Sequence, residues 1–211
     1  MFLFQVIEHS WSLITFKEDK MANKNKVEFG LSNVHVAIEK GDGWDIPKLI
    51  PGAVTFTPSA EADDFHFYAD DGDYYNESTD NGYSGELSMA LLPDWFLGAV
   101  LGYKKLDDGG IVEIKNAPKK RFCLIFEGKG DKEKTRHIFI NCGAGKPTEE
   151  FKTLEDKKEI RVQTMPITVS GDLESGVIKL KYRESDTGYS TLFTKIPDFK
   201  GGKEIPAEES V

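Results

Sequence analysis

Residues Phe65 to Gly102 read FHFYADDGDYYNESTDNGYSGELSMALLPDWFLGAVLG, and this run decides the architecture. It opens with a short aromatic strand, Phe65 to Ala69. The acidic stretch Asp70–Asn81 follows, expected to be a long, exposed, hairpin-like connection almost without aliphatic side chains. Alternation resumes in YSGELSMALL, so a second strand returns from that connection. Pro93-Asp94 then starts a helix. Proline suits a first helical turn, an aspartate suits the positive end of the helix dipole, and Gly102 stands where a C-cap is needed. The helix is expected over about 94–101, with Trp95, Phe96, Val100 and Leu101 as its buried face. None of the polar side chains in the run is arranged for catalysis.

Nearer the N-terminus, VEFGLSNVHVAIEK alternates at Val27, Phe29 and Leu31 and again at Val34, Val36 and Ile38, which predicts a strand with a break near Ser32-Asn33. Gly41-Asp42-Gly43 makes a turn. Pro47, Pro51 and Pro58 exclude a helix from IPKLIPGAVTFTPS and favour an extended segment, with Val54 and Phe56 facing the core. Five more strand-like runs follow: IVEIKN, RFCLIFEG, TRHIFINCGAG, EIRVQTMPITVSG and VIKLKYRE, separated by glycine-rich turns. Pro147 to Lys158 is either a short helix or an arm. Tyr189 to Phe199 is expected to form a short C-terminal helix, and 201–211 a flexible tail. Strand after strand with one helix predicts a mainly β domain over 21–200, a sandwich or barrel with one flanking helix. No internal repeat is present.

The 211 residues suffice for one domain with a core of its own. Lys plus Arg number 27 against 36 Asp plus Glu, and a net charge of -9 excludes a general attraction to nucleic acid or anionic lipid. No apolar run approaches the roughly 20 residues of a membrane-spanning helix, so no membrane partner is expected. Cys123 and Cys142 sit in separate apolar strands and are expected as buried thiols without chemistry. Residues 1–20, MFLFQVIEHSWSLITFKEDK, lack the basic start and cleavage site of an export signal. One codon choice for Lys17-Glu18-Asp19-Lys20 spells a purine-rich ribosome-binding sequence. Met21 is therefore the expected start, and 1–20 a non-native or disordered extension, or an added strand if present. An intact-mass measurement on natively produced protein decides between them.

Signatures of chemistry are weak. Gly143-Ala144-Gly145-Lys146-Pro147-Thr148 resembles a phosphate loop, but Ile140 stands where its first glycine belongs and Pro147 where its Ser or Thr belongs. Gly82-Tyr83-Ser84-Gly85 lacks the spacing of a nucleophile elbow. Asp63, Asp64, Asp70, Asp71, Asp73 and Asp80 miss the every-second-residue alternation of a calcium loop, which leaves a solvated acidic segment with adventitious cation binding behind it. His35, His66 and His137 are too scattered to suggest a metal triad. Nothing points to paired carboxylates for sugar hydrolysis. No cofactor, metal or catalytic residue is expected, and the chain is not expected to be an enzyme.

Several segments together resemble the major tail proteins of long-tailed bacteriophages, of the phi13 type. They are Ile50-Pro51-Gly52-Ala53-Val54, the FYADDGDYY block, Asn81 to Leu87 leading into Ala90-Leu91-Leu92-Pro93, Val100-Leu101-Gly102, and Arg136 to Cys142, together with the opening Met21 to Lys24 and Phe29 to His35. The likeness spans about 21–200. It implies a structural virion protein, the tail tube subunit: a sandwich or barrel whose copies form hexameric rings that stack into a conduit for DNA ejection. The implied partners are further copies of itself, tape-measure protein, and tail-terminator or baseplate proteins. DNA would pass without specific binding along an acidic, repelling lumen. The implied location is the phage tail, assembled in the cytoplasm of a bacterial host. On this reading Asp70, Asp71, Asp73, Tyr74, Tyr75 and Asn76 form the candidate inter-ring contact loop, the tyrosines acting as amphipathic anchors; the other reading is a loop that orders against nothing.

Two alternatives stand beside it. A tube protein of a bacterial contractile injection system would share the fold and carry effectors. A carbohydrate-binding β-sandwich would use Trp44 or Tyr83 as a stacking platform and remain monomeric.

Overall fold

The computed structural model describes residues 29–41, 43–151, 153 and 161–202. The expectations for residues 1–20, for the start at Met21, for most of 152–160 and for the tail beyond 202 lie outside these residues. In chain order the elements are β1 (Phe29–Lys40), β2 (Gly43–Trp44), β3 (Lys48–Leu49), β4 (Ala53–Ala69), β5 (Gly72–Met89), α1 (Asp94–Leu101), β6 (Lys104–Lys105), β7 (Ile111–Val112), β8 (Phe122–Lys129), β9 (Arg136–Ala144), β10 (Gln163–Val169) and β11 (Lys179–Tyr182). A single 3₁₀ turn, Tyr189–Thr191, is all that forms of the expected C-terminal helix. The fold is mainly β, as the strand-after-strand pattern requires.

Nine strands make one antiparallel sheet in the order β2-β1-β8-β9-β10-β5-β4, with β3 added to β1 and β11 to β9. β10 and β11 lie end to end along the same side of β9, pairing with Cys142–Ala144 and Arg136–Phe139 respectively. The sheet rolls up. Phe56 of β4 meets Phe126 of β8 and Phe139 of β9 edge-on with ring centroids 5.5 Å apart, although three strands separate β4 from β8 in the hydrogen-bonded order. Among the described residues, no strand pairing closes the roll into a barrel or divides it into a two-sheet sandwich. It is an open sheet curled around its own core.

Period-two patterning gives that sheet two apolar faces. On β8, Phe122 and Leu124 face the inside of the roll while Cys123 and Ile125 face outward. β9 matches this with Phe139 inward and Ile138 and Ile140 outward, but it must change phase to bring Cys142 and Ala144 inward. Asn141 does this as a bulge: its φ is 58° and the register steps from Leu124↔Phe139 to Phe122↔Cys142. The break expected near Ser32-Asn33 is a bulge of the same kind, with Asn33 at φ 52°. Val54 departs from expectation. An irregularity between Ala53 and Thr55 turns Val54 out to solvent while Ala53 and Phe56 face the core.

α1 closes one end of the roll. Phe96, Val100 and Leu101 are buried against Ile50, Leu87, Met89 and Phe122, and Trp95 packs beside them, half-exposed. Pro93 stands at the N-cap and its carbonyl accepts from the N–H groups of Phe96 and Leu97 at 2.9 and 3.2 Å. Gly102 ends the helix at φ 75°, where a Cβ would lie 2.8 Å from Ala117 and from the carbonyl of Pro118. The outer face of the sheet is covered by the C-terminal segment, which lays Leu192 and Ile196 over Ala37, Cys123, Ile125, Ile138 and Ile140. Arg136 fastens it. The guanidinium lies 3.7 and 3.9 Å from the Tyr189 and Phe193 rings, donates to the Tyr189 carbonyl at 2.6 Å, and bonds Glu127 at 2.6 Å.

Candidate functional site

Half of the β4–β5 hairpin belongs to the sheet and half does not. β10 pairs with β5 only from Tyr83 to Met89. Beyond Tyr83 the hairpin continues from Ala62↔Asp80 to Ala69↔Gly72 with its two strands paired to each other and to nothing else among the described residues. Asp70–Asn81 is therefore not a connection, as the sequence suggested. Asp70 and Asp71 alone make the turn, with φ of 51° and 59°, the double positive φ of a type I′ hairpin, and residues 72–81 are strand.

The point where this arm leaves the sheet is set by Gly82. Its φ is 86°, its N–H donates to Asp80 Oδ1 at 2.8 Å, and it sits directly against the end of β10. At the far end a second irregularity leaves Tyr74 unpaired, between Phe67↔Tyr75 and Tyr68↔Asp73. Cross-strand partners share a face. One face thus holds Phe65, Phe67 and Tyr75, with the Tyr74 ring 6.5 Å from that of Phe67 and Phe65 6.4 Å from Tyr75. The other face holds His66, Tyr68, Asp73 and Asn76, and His66 Nδ1 lies 3.0 Å from Asp73 Oδ2.

All six residues of the expected contact loop are in this arm, and the structure brings them together with three that the sequence reading left aside. Phe65, Phe67, Tyr68, Tyr74 and Tyr75 are each between 51% and 75% exposed. That is an unusual concentration of aromatic surface for a segment with no core behind it. The arm is also where the charge resides. Residues 61–80 hold eight carboxylates and no lysine or arginine, so the rest of the chain balances 27 basic against 28 acidic residues.

A shallow recess of about 220 Å³ lies at the opposite end of β5, where α1 follows it, lined by Asp94, Trp95, Tyr103, Lys104, Lys105 and Ile111. Lys48 Nζ stands 4.1 Å from the centre of the Trp95 ring. Tyr103 donates to Glu113 at 2.8 Å, and Glu113 is also paired with Lys146. Burial, then the Glu113 bond, push the Tyr103 phenol up to about 12, while Lys146 first and Tyr103 second hold Glu113 below the usual carboxylate range.

The remaining candidates are packing residues. Cys123 and Cys142 are fully buried on opposite faces of the sheet, and burial raises both thiols, Cys142 to about 12. Tyr83 packs edge-on against Phe139 at 5.5 Å and Trp44 packs against the outer core, so neither ring stands out as a sugar-stacking platform. His35 stacks on Phe193 at 3.9 Å. Among the described residues no group of three or more His, Cys, Asp or Glu side chains is placed to hold a metal, and no helix is long and apolar enough to cross a membrane.

No protein-family model matches the chain, and no curated protein sequence matches it. Solved structures do resemble it in outline. The tube-terminating cap of the anti-feeding prophage is 11% identical, with 78% of this chain and 99% of that one covered and a TM-score of 0.43. A sheath/tube terminator of the extracellular contractile injection system PVC is 12% identical over 71% of this chain and 93% of that one, with a TM-score of 0.42. A chain of the PVC sheath-tube complex is 11% identical over 72% and 88%, with a TM-score of 0.41. At these values the likeness assigns no role.

Proposed function

We propose that this chain is a structural protein, the repeating subunit of a tail tube, which assembles with copies of itself through the arm of residues 61–81. One observation carries the reading. The arm projects beyond the sheet with both backbone edges unpaired among the described residues, and its five aromatic side chains touch one another and His66 but stay more than half exposed. Exposed strand edges and apolar surface normally invite uncontrolled pairing; in a tube subunit such pairing is the assembly reaction. A closed ring needs head-to-tail contacts that complete a rotation, and a stack needs a second contact that does not close. The two-stranded arm reaching out of the fold is assigned the second of these contacts.

The finer reading follows the sequence resemblance: hexameric rings, stacked into a phage tail tube that conducts DNA, with tape-measure, terminator and baseplate proteins as partners. The protein would assemble in the bacterial host and act in the virion without catalysis. Charge suits the task. With its surplus of carboxylates held on the arm, the remainder of the chain is close to neutral and gives passing DNA no net attraction.

The test compares the full chain with a variant in which residues 62–80 are replaced by a two-residue turn. Electron microscopy of concentrated protein should show tubes or stacked rings of uniform diameter for the full chain, and at most single rings for the shortened one. Identical behaviour of the two would remove the arm from the account.

A further inference from the structure

The arm of one copy requires a seat on another, and among the described residues the recess beside α1 offers both lysines and aromatic surface. We infer that the arm tip of one copy docks in the recess beside α1 of a second copy, an inference that rests on the self-assembly proposed above. Three features of the recess fit. Its lining includes the rings of Trp95 and Tyr103 and the half-exposed Ile111, an aromatic and aliphatic surface for Tyr74 or Tyr75. Its lining carries more lysine than carboxylate. Lys104 and Lys105 line it, Lys48 lies over Trp95, and Asp94 is the one carboxylate in the lining. Against this the arm presents eight carboxylates with no basic residue except His66.

The third feature is position. β5 runs 18 residues from the arm tip at Gly72 to Met89, and α1 begins five residues later. At about 3.3 Å per residue β5 spans up to about 55 Å, and the tip and the recess lie at its opposite ends. No copy can fill its own recess. Each copy therefore offers an acidic aromatic tip at one end and a lysine-bearing, aromatic-lined seat at the other, the two halves of a head-to-tail contact along the direction of β5. Such a contact is charge-steered, so it weakens with salt.

The experiment uses charge reversal in the full chain. D73K/E77K halves the arm's charge from -8 to -4, places two lysines beside Tyr74 and Tyr75, and leaves the Asp70-Asp71 turn intact; K104E/K105E makes the seat acidic. Sedimentation velocity at low salt should show wild type forming large, salt-sensitive oligomers and each double variant reduced at least tenfold in association constant. An equimolar mixture of the two variants should recover association, because the acidic arm of one then meets the basic seat of the other. Circular dichroism confirms that both variants are folded. If either variant associates as wild type does, or if the mixture fails to recover, the seat is not this recess, while tube formation by wild type keeps the self-assembly reading. If wild type forms no ordered assembly at all, that reading falls and the docking with it.

Discussion

A Cβ placed on Gly82 would lie 2.0 Å from the carbonyl oxygen of Val169. That contact marks where β5 parts from β10 and the arm begins, and Gly82 holds it with φ 86°, a conformation that side chains rarely adopt. Gly82→Ala should therefore force the end of β10 away from the root of the arm. The expected loss is about 2 kcal/mol or more in chemical denaturation. Hydrogen exchange should localise it to Tyr83, Ser84 and the 167–170 segment.

Phe139 is the ring on which the roll closes. Phe56 and Tyr83 meet it edge-on at 5.5 Å and Phe126 stacks on it at 6.0 Å. Phe139→Ala removes the shared partner of β4, β5 and β8 at once, and should lower stability by roughly 3–5 kcal/mol, read from the midpoint of a denaturant titration.

Arg136 and Glu127 are 13% and 14% exposed, so removing one strands the other's charge in a poorly hydrated place. Arg136→Ala should cost about 3 kcal/mol. Arg136→Lys should rescue little of it, because an ammonium neither forks onto Glu127 and the Tyr189 carbonyl nor stacks between two rings. Faster hydrogen exchange in 188–196, with protection of β8 and β9 retained, separates this loss of the C-terminal cover from general unfolding.

Alkaline pH should weaken the fold. Burial pushes the Cys142 thiol from 9.0 to about 12, and burial followed by the Glu113 bond pushes Tyr103 from 10.0 to about 12. The unfolded chain releases these protons from about pH 9 upward while the folded chain keeps them. Their contribution to stability is complete below pH 9 and declines as pH rises toward 12. Melting temperature should be flat through neutrality and fall above pH 9. Cys142→Ala should flatten part of that slope even though it lowers the neutral value.

The parts of the fold that could be read in the sequence are those written in local signals. Pro93, Asp94 and Gly102 bracket α1 at its observed bounds because capping chemistry involves neighbours in the chain. β8 and β9 announce themselves because both of their faces are buried, and the break at Asn33 shows as a shift in the alternation. The outer half of β5 carries no such signal. Neither face of DYYNESTDN is buried within this chain, so it has no apolar period, and its strand form comes from backbone pairing with β4. The readable clue was Asp70-Asp71-Gly72, a turn able to take two positive φ values. Val54 was lost to a bulge, and the grip of Arg136 on Tyr189 joins residues 53 positions apart.

A cryo-electron microscopy reconstruction of the assembled full chain shows directly whether the arm is an assembly device. If it is, Phe65, Phe67, Tyr74 and Tyr75 are buried against a neighbouring copy in the next ring. An ordered assembly in which residues 61–81 point into solvent would contradict it.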